Sequence, residues 1–372
     1  MKNTFSLLAL LGVVTMCLNE SRAQNRAEAQ DSTADTTRAS SPGILPLPIF
    51  FYTPETGTAG GAGLLFFFRP NENAATNRPS TTMLNFIYTE KKQIIAEASG
   101  EFYLAENLYK LSGGIQFLRF PQKFFGIGNN TSSSMEESYS SELYGMQFSW
   151  LRSLENGFQA GLSIFFENRR VYELIPGGLL SSGTILGSKD GITSGIGPLV
   201  TLDTRDNVFA PFTGSYYQFS IRTGLRALGS DYLITVTEVD LRKYLPFYGD
   251  GVMAFQAFGT SVSGDAPFHK LAELGGQNRM RGYYQGRYRD KNYVAVQAEY
   301  RLPLIWRFGG VAFAGTGDVA PSLSQFRLSD FKPSYGFGIR FAFEPKERLN
   351  LRLDFGLGDN SSGMYISVAE AF

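Results

Sequence analysis

Residues 335–343 read Tyr-Gly-Phe-Gly-Ile-Arg-Phe-Ala-Phe, and their alternation decides how the chain folds. Side chains along a strand point to opposite faces in turn, so Tyr335, Phe337, Ile339, Phe341 and Phe343 share one face. Gly336, Gly338, Arg340 and Ala342 share the other. The same period recurs downstream, where Leu351, Leu353 and Phe355 oppose Arg352 and Asp354. Upstream, Tyr144, Met146, Phe148 and Trp150 oppose Gly145, Gln147 and Ser149. In residues 157–170, Phe158, Ala160, Leu162, Ile164 and Phe166 oppose Gln159, Gly161, Ser163, Glu167 and Arg169.

A soluble sandwich also alternates with one apolar face. Two features favour a membrane barrel. The polar face carries Arg, Glu, Gln and Gly, which suits a wet lumen, and the strands run to about ten residues, as a tilted spanning strand requires. The densest apolar run after the N-terminal region, Leu64-Leu65-Phe66-Phe67-Phe68, is far too short for a spanning helix. A chain that crosses a membrane without such helices must close its sheet, because lipid satisfies no open strand edge. Composition agrees: 32 Phe, 19 Tyr and 41 Gly against only 18% charged residues suit an aromatic, turn-rich sheet. A net charge of +0 gives no support for a nucleic-acid or polybasic surface partner.

The N-terminus reads as an export signal over residues 1–23. Lys2 supplies the positive start, Phe5 to Leu18 the apolar segment, and Ser21-Arg22-Ala23 a small-residue cleavage site. A short membrane anchor is the alternative, but the run falls below the ~18–20 residues a spanning helix needs. Cys17 after an apolar stretch also admits a lipoprotein reading, against which Met16 stands where that cleavage wants a small residue. Cleavage after Ala23 removes the only cysteine, leaving no disulfide, thiol chemistry or Cys-based metal site. Residues 24–43 are rich in Ala, Ser, Thr, Asp, Glu and Arg and read as a flexible periplasmic leader.

Turn signals divide residues 44–372 into roughly sixteen strands, the first at 44–54 and the last at 362–372. An even count puts both termini in the periplasm. The long loops 120–137, 173–192, 265–291 and 319–333 then lie outside; segment 70–79 breaks the pattern, being long yet periplasmic. At the chain's end Met364, Ile366, Val368 and Phe372 are expected on one face, with Phe372 as the candidate C-terminal barrel signal.

The longest loop contains Gly275-Gly276-Gln277-Asn278-Arg279-Met280-Arg281-Gly282-Tyr283-Tyr284-Gln285-Gly286. It resembles the sixth-extracellular-loop signature of the BamA/TamA superfamily, the bacterial surface antigen family. Tyr52-Thr53-Pro54-Glu55-Thr56-Gly57 resembles the family's first hairpin. Asp203-Thr204-Arg205-Asp206 with Pro211 and Gly214 resembles its mid-barrel periplasmic turn, and Glu299-Tyr300-Arg301-Leu302-Pro303-Leu304 follows the loop as the family pattern has it. The resemblance spans about 44–372 and implies a loop folded back into the lumen with Arg281, Gly282, Tyr283 and Gly286 as its lock. An arginine held there needs a carboxylate, and its planar fork makes paired contacts that Lys cannot. Alternation offers Asp354 and Glu299, with Asp354 preferred. The chain departs from the family where Phe313-Ala314-Gly315-Thr316-Gly317 puts Gly315 at the position of a usual Asp; Asp318 lies three residues on.

The resemblance implies assembly or translocation of outer-membrane proteins in the outer membrane of a Gram-negative cell. Its seam lies between first and last strands, near Pro46 and Pro48, which donate no ladder hydrogen bond. Those prolines lie either in a poorly paired first strand or in a leader entering the lumen. The transport domains that such family members carry before the barrel are not found in residues 24–43, so the expected partners are a separate periplasmic protein, unfolded client proteins and membrane lipid. The alternative is a scaffold barrel or passive pore of the same fold. No cofactor or metal is expected, and no catalysis: His269 is the sole histidine, and spacing pairs it with neither a nucleophile nor an acid.

Overall fold

The computed structural model describes residues 43–68, 80–345 and 348–372. The expected signal segment, most of the expected leader and segment 70–79 lie outside the described residues. The strands are β1 (Gly43–Thr53), β2 (Gly57–Phe68), β3 (Ser80–Thr89), β4 (Ile94–Leu104), β5 (Tyr109–Phe124) and β6 (Glu137–Ser153). They continue with β7 (Phe158–Tyr172), β8 (Gly191–Asp203), β9 (Gly214–Gly224), β10 (Ile234–Pro246), β11 (Val252–Gly264), β12 (Ala272–Leu274) and β13 (Tyr288–Asp290). The last are β14 (Asn292–Pro303), β15 (Phe308–Ala320), β16 (Lys332–Glu344), β17 (Leu349–Gly358) and β18 (Ser361–Val368).

Sixteen of these close one barrel: each of β1 to β10 pairs with its successor, β11 pairs with β14, each of β14 to β17 pairs with its successor, and β18 returns to β1. β12 and β13 stand apart as a two-stranded ribbon inside the loop between β11 and β14. Its three-residue strands are too short to carry an alternation signal, so the sequence reading placed only loop there. Five barrel strands follow that loop, as the family pattern requires.

Alternation sorts the two faces as expected. Tyr144, Met146, Trp150, Leu162, Ile164, Tyr335, Phe337 and Ile339 are exposed, forming the apolar outside. Asp354, Glu299, Arg352 and Arg340 are buried on the opposite face. Closure leaves no free edge within the wall except at the seam, which is uneven. β1 pairs with β2 along its whole length, from Gly43 opposite Phe67 to Thr53 opposite Gly57, yet meets β18 only where Tyr52 faces Ile366. Pro46 and Pro48 lie within β1, opposite Leu64 and Ala62 of β2, so the strand reading holds and the leader reading of the two prolines does not.

The end of the chain corrects one expectation. β18 stops at Val368, and Ala369 turns at φ +65°. Val368 faces outward, 47% exposed, but Phe372 is 5% exposed and packs beside Tyr244, Val252 and Ala254. Phe372 therefore does not share the face of Met364, Ile366 and Val368. Its ring stacks 6.4 Å from that of Tyr244, and the Arg301 guanidinium lies 5.2 Å from its centroid, a site an outward side chain cannot reach.

Loops cross the barrel end opposite the chain termini. Phe124, Tyr139, Val171, Leu180 and Phe268 form a buried cluster there, drawn from strand ends and from the segments after β7 and β11. The Gly128 N–H donates to the Arg289 carbonyl at 2.8 Å, and the Phe268 N–H to that of Leu186 at 2.8 Å. Three long loops are thus tied together by backbone hydrogen bonds around a shared apolar centre.

Candidate functional site

The loop between β11 and β14 is anchored at Arg281, whose side chain has 0% exposure. Its Nη1 donates to Asp354 Oδ2 of β17 at 2.6 Å, and its Nη2 pairs with Glu299 Oε1 of β14. The guanidinium also lies 3.6 Å from the ring centroid of Phe313 on β15, a desolvated cation–π contact. One planar fork thus joins two acids from strands that are not neighbours, with its donors held in a fixed spread that a compact ammonium lacks.

The wall is shaped for this approach. A Cβ at position 356 would come within 2.6 Å of the Arg281 carbonyl carbon, and one at position 338 within 2.0 Å of Asp354 Oδ1. Glycine at 356 lets the loop backbone lie on the sheet, and glycine at 338 leaves room for the Asp354 carboxylate. Gly282 sits at φ +106°, where a side chain is strained, and a Cβ there would meet the Leu357 carbonyl carbon at 2.7 Å. Its N–H donates to Tyr365 Oη at 3.0 Å and its carbonyl accepts from Ser361 Oγ at 2.5 Å. The Tyr283 ring is buried; its hydroxyl donates to the Pro333 carbonyl at 2.9 Å and accepts from the Asp359 N–H at 2.7 Å. Burial pushes that phenol up to about 12, so it is neutral and free to donate. Gly286, at φ +78°, lies not at the tip but beside the ribbon, where a Cβ would meet Arg289 Nη2 at 2.5 Å.

Both proposed carboxylate partners therefore lie against Arg281, rather than Asp354 alone. Asp318 does not: it bonds Lys332 Nζ at 3.2 Å and Asn129 Nδ2 at 3.1 Å. Where the family's acid would stand at position 315, the same strand offers the Phe313 ring to the arginine instead.

Sequence reasoning did not assemble the surrounding network. Arg301 bonds Glu299 at 2.9 Å, and Arg340 bonds Asp354 at 2.5 Å and Glu370 at 2.7 Å. Arg352 Nη2 holds Asn278 Oδ1 of the loop at 3.0 Å. Alternation already put Arg340, Arg352 and Asp354 on the polar face. The missing information was register: Arg340 stands opposite Arg352, and Gly338 opposite Asp354. Glu370 was hidden by treating residues 369–372 as strand; Asn350 and Arg340 hold it against the wall.

A family model for the Omp85 superfamily domain matches residues 181–372, more than half of the chain and including the loop and its acids. No curated protein matches. Among solved structures the fold is similar to BamA from Haemophilus ducreyi lacking POTRA domains 1–3, at 13% identity and a TM-score of 0.62, covering 89% of this chain and 70% of that one. It is also similar to CdiB from Acinetobacter baumannii, at 13% identity and a TM-score of 0.55, covering 88% of this chain and 59% of that one. CdiB from Escherichia coli matches at 10% identity and a TM-score of 0.52, covering 89% of this chain and 68% of that one. At such identities the structures speak for the fold alone, while the domain match, spanning the Arg281 loop and all five strands after it, assigns the lineage: the chain belongs to the Omp85 superfamily.

Proposed function

We propose that this barrel works in the assembly or translocation of outer-membrane proteins, its Arg281 loop folded into the lumen and its periplasmic receptor carried by a separate chain. The Omp85-type fold implies the outer membrane of a Gram-negative cell, with the exposed aromatic and aliphatic face against lipid. One observation carries the functional reading: β1 is fully paired on its β2 side and meets β18 only at Tyr52 and Ile366. An edge with unpaired backbone groups is a template to which an incoming strand adds by β-augmentation. The loops tied across the opposite end speak against the passive-pore alternative. No catalytic step enters the reading.

Cysteines at positions 52 and 366 test it, because Cα atoms of facing antiparallel residues lie about 4.5–5.5 Å apart, within disulfide reach. In liposomes the reduced variant should speed the folding of an outer-membrane client, and oxidation should abolish that effect without unfolding the barrel. Equal acceleration by the oxidised form removes the seam from the mechanism. Ion conductance with no acceleration by either form indicates a scaffold or pore. Affinity purification from native outer membranes should recover a partner bearing periplasmic transport domains.

A further inference from the structure

A chamber lies on the side of the loop that faces β5 to β11, and its lining includes none of Glu299, Asp354 and Phe313, which hold Arg281. It has a volume of about 340 Å³ and is bounded by the loop and by residues of β5, β6, β7, β9, β10 and β11. That is near the lower end of the range for small-ligand sites, roughly 300–1,000 Å³. Its acids are already neutralised. Glu167 is held by Lys270 at 2.5 Å and Arg169 at 3.0 Å, Glu238 faces Arg222 at 3.6 Å, and Glu273 faces Arg289 at 3.2 Å.

Three groups lining the chamber are left over among the described residues: the Tyr293 hydroxyl, Arg279 and His269. Arg279 has no carboxylate within ion-pair distance among the described residues; its guanidinium rests 3.5 Å from the Phe258 ring centroid, with Nη1 shielded from solvent and unbonded. The His269 side chain is only 3% exposed, and neither ring nitrogen has a hydrogen-bond partner among the described residues. Its nearest acid, Glu167, lies 3.9 Å from Nδ1, beyond a hydrogen bond. Buried polar groups without partners are rare in native structures, and each calls for a missing partner. An uncompensated guanidinium and a buried imidazole lining the same chamber suit an acceptor-rich anion.

We propose that this chamber binds a small free oxyanion of the phosphate or carboxylate class, held by Arg279 and His269. The site is separate from the Arg281 anchor, whose acids belong to β14 and β17.

His269 is the only histidine in the sequence, so the folded barrel in detergent micelles, labelled with nitrogen-15 histidine, gives one imidazole to follow. Titration with inorganic phosphate, and separately with acetate, at constant ionic strength made up with chloride should shift those imidazole signals saturably with at least one of them. The arm that saturates identifies the anion class. In Arg279→Gln the affinity should fall about tenfold or more, the loss expected for one charge-assisted hydrogen bond. Signals unmoved by either anion, moved equally by chloride, or saturating unchanged in Arg279→Gln overturn the proposal. If Arg279→Gln does not fold, Arg279→Lys takes its place, and the wild-type titration by itself still overturns the proposal where neither anion, or chloride equally, moves the signals.

Discussion

Replacing Arg281 with Ala should free the loop while leaving the barrel closed. Breaking a buried ion pair by removing one partner costs about 3–5 kcal/mol, because the other charge is left unpaired. Here the cost falls at the low end, since the wall supplies substitutes. Glu299 keeps Arg301 at 2.9 Å, and Asp354 keeps Arg340 at 2.5 Å. What is lost is the loop's share: two charge-assisted hydrogen bonds and the Phe313 contact. A loss of about 3 kcal/mol raises the loop's opening equilibrium by roughly a hundredfold or more, at 1.4 kcal/mol per tenfold. Hydrogen exchange in micelles reads this at the Gly282 amide, which is protected by Tyr365 Oη. It should exchange much faster in the variant, while strand amides of β14 to β17 keep their wild-type rates. Arg281→Lys should fall between, keeping a charge but not the fork. Unchanged exchange at Gly282 refutes the anchor. Collapse of the whole barrel refutes the claim that the wall arginines sustain the two acids.

Gly282→Ala should release the same loop tip through strain rather than charge, since a Cβ meets the Leu357 carbonyl carbon at 2.7 Å; limited proteolysis should cut the variant within 275–286 and spare the wild type. Phe372→Ala empties a buried aromatic site and should cost about 3–5 kcal/mol, lowering the unfolding temperature in detergent; deleting the residue should also reduce insertion into the outer membrane, and normal assembly would sink its role as an end signal. At the turn after β8, burial raises the Asp206 carboxyl, but the N–H groups of Thr213 and Phe212 together with Arg348 outweigh it and hold the group below its ordinary value. Its stabilisation is thus complete above the unfolded-state pKa, about 3.9, and is lost as pH falls through the lower folded-state value. Exchange at Phe212 and Thr213 should accelerate only below about pH 4 relative to Asp206→Asn, and equal pH dependence in the two forms would contradict it.

The barrel was legible because lipid outside and polar groups inside impose a period of two on every long strand, and residues such as Tyr335 to Phe343 keep it. The β12–β13 ribbon was not, since three residues cannot show a period. Nor was the turn at Ala369: residues 364–368 alternate, and nothing in Glu370-Ala371-Phe372 breaks the pattern until Tyr244 and Arg301 are known to lie within reach. The Arg281 contacts were half legible. Parity put Glu299 and Asp354 on the right face, but only register brings strands separated by two neighbours to the same depth.

The chemistry of the anchor also explains why the loop tip takes one position rather than a smear of similar ones. A buried ion pair is weak evidence of stability, since apolar residues of the same volume often do as well. It is strong in fixing register. Met280, next to Arg281, is 2% exposed and packs with Phe258, Leu274, Tyr293 and Val319. Arg281 meets Glu299 and Asp354, and Gly282 lies flat on Leu357 and Gly358. A slip of one residue either way would put a thioether or no side chain between two carboxylates and drive a guanidinium into an apolar cluster or the β17 backbone. Each error leaves buried charge unpaired. An all-apolar tip would slide at little cost, whereas this one has a single low-energy seat, so loop release is a two-state event that charge removal at Arg281 can switch.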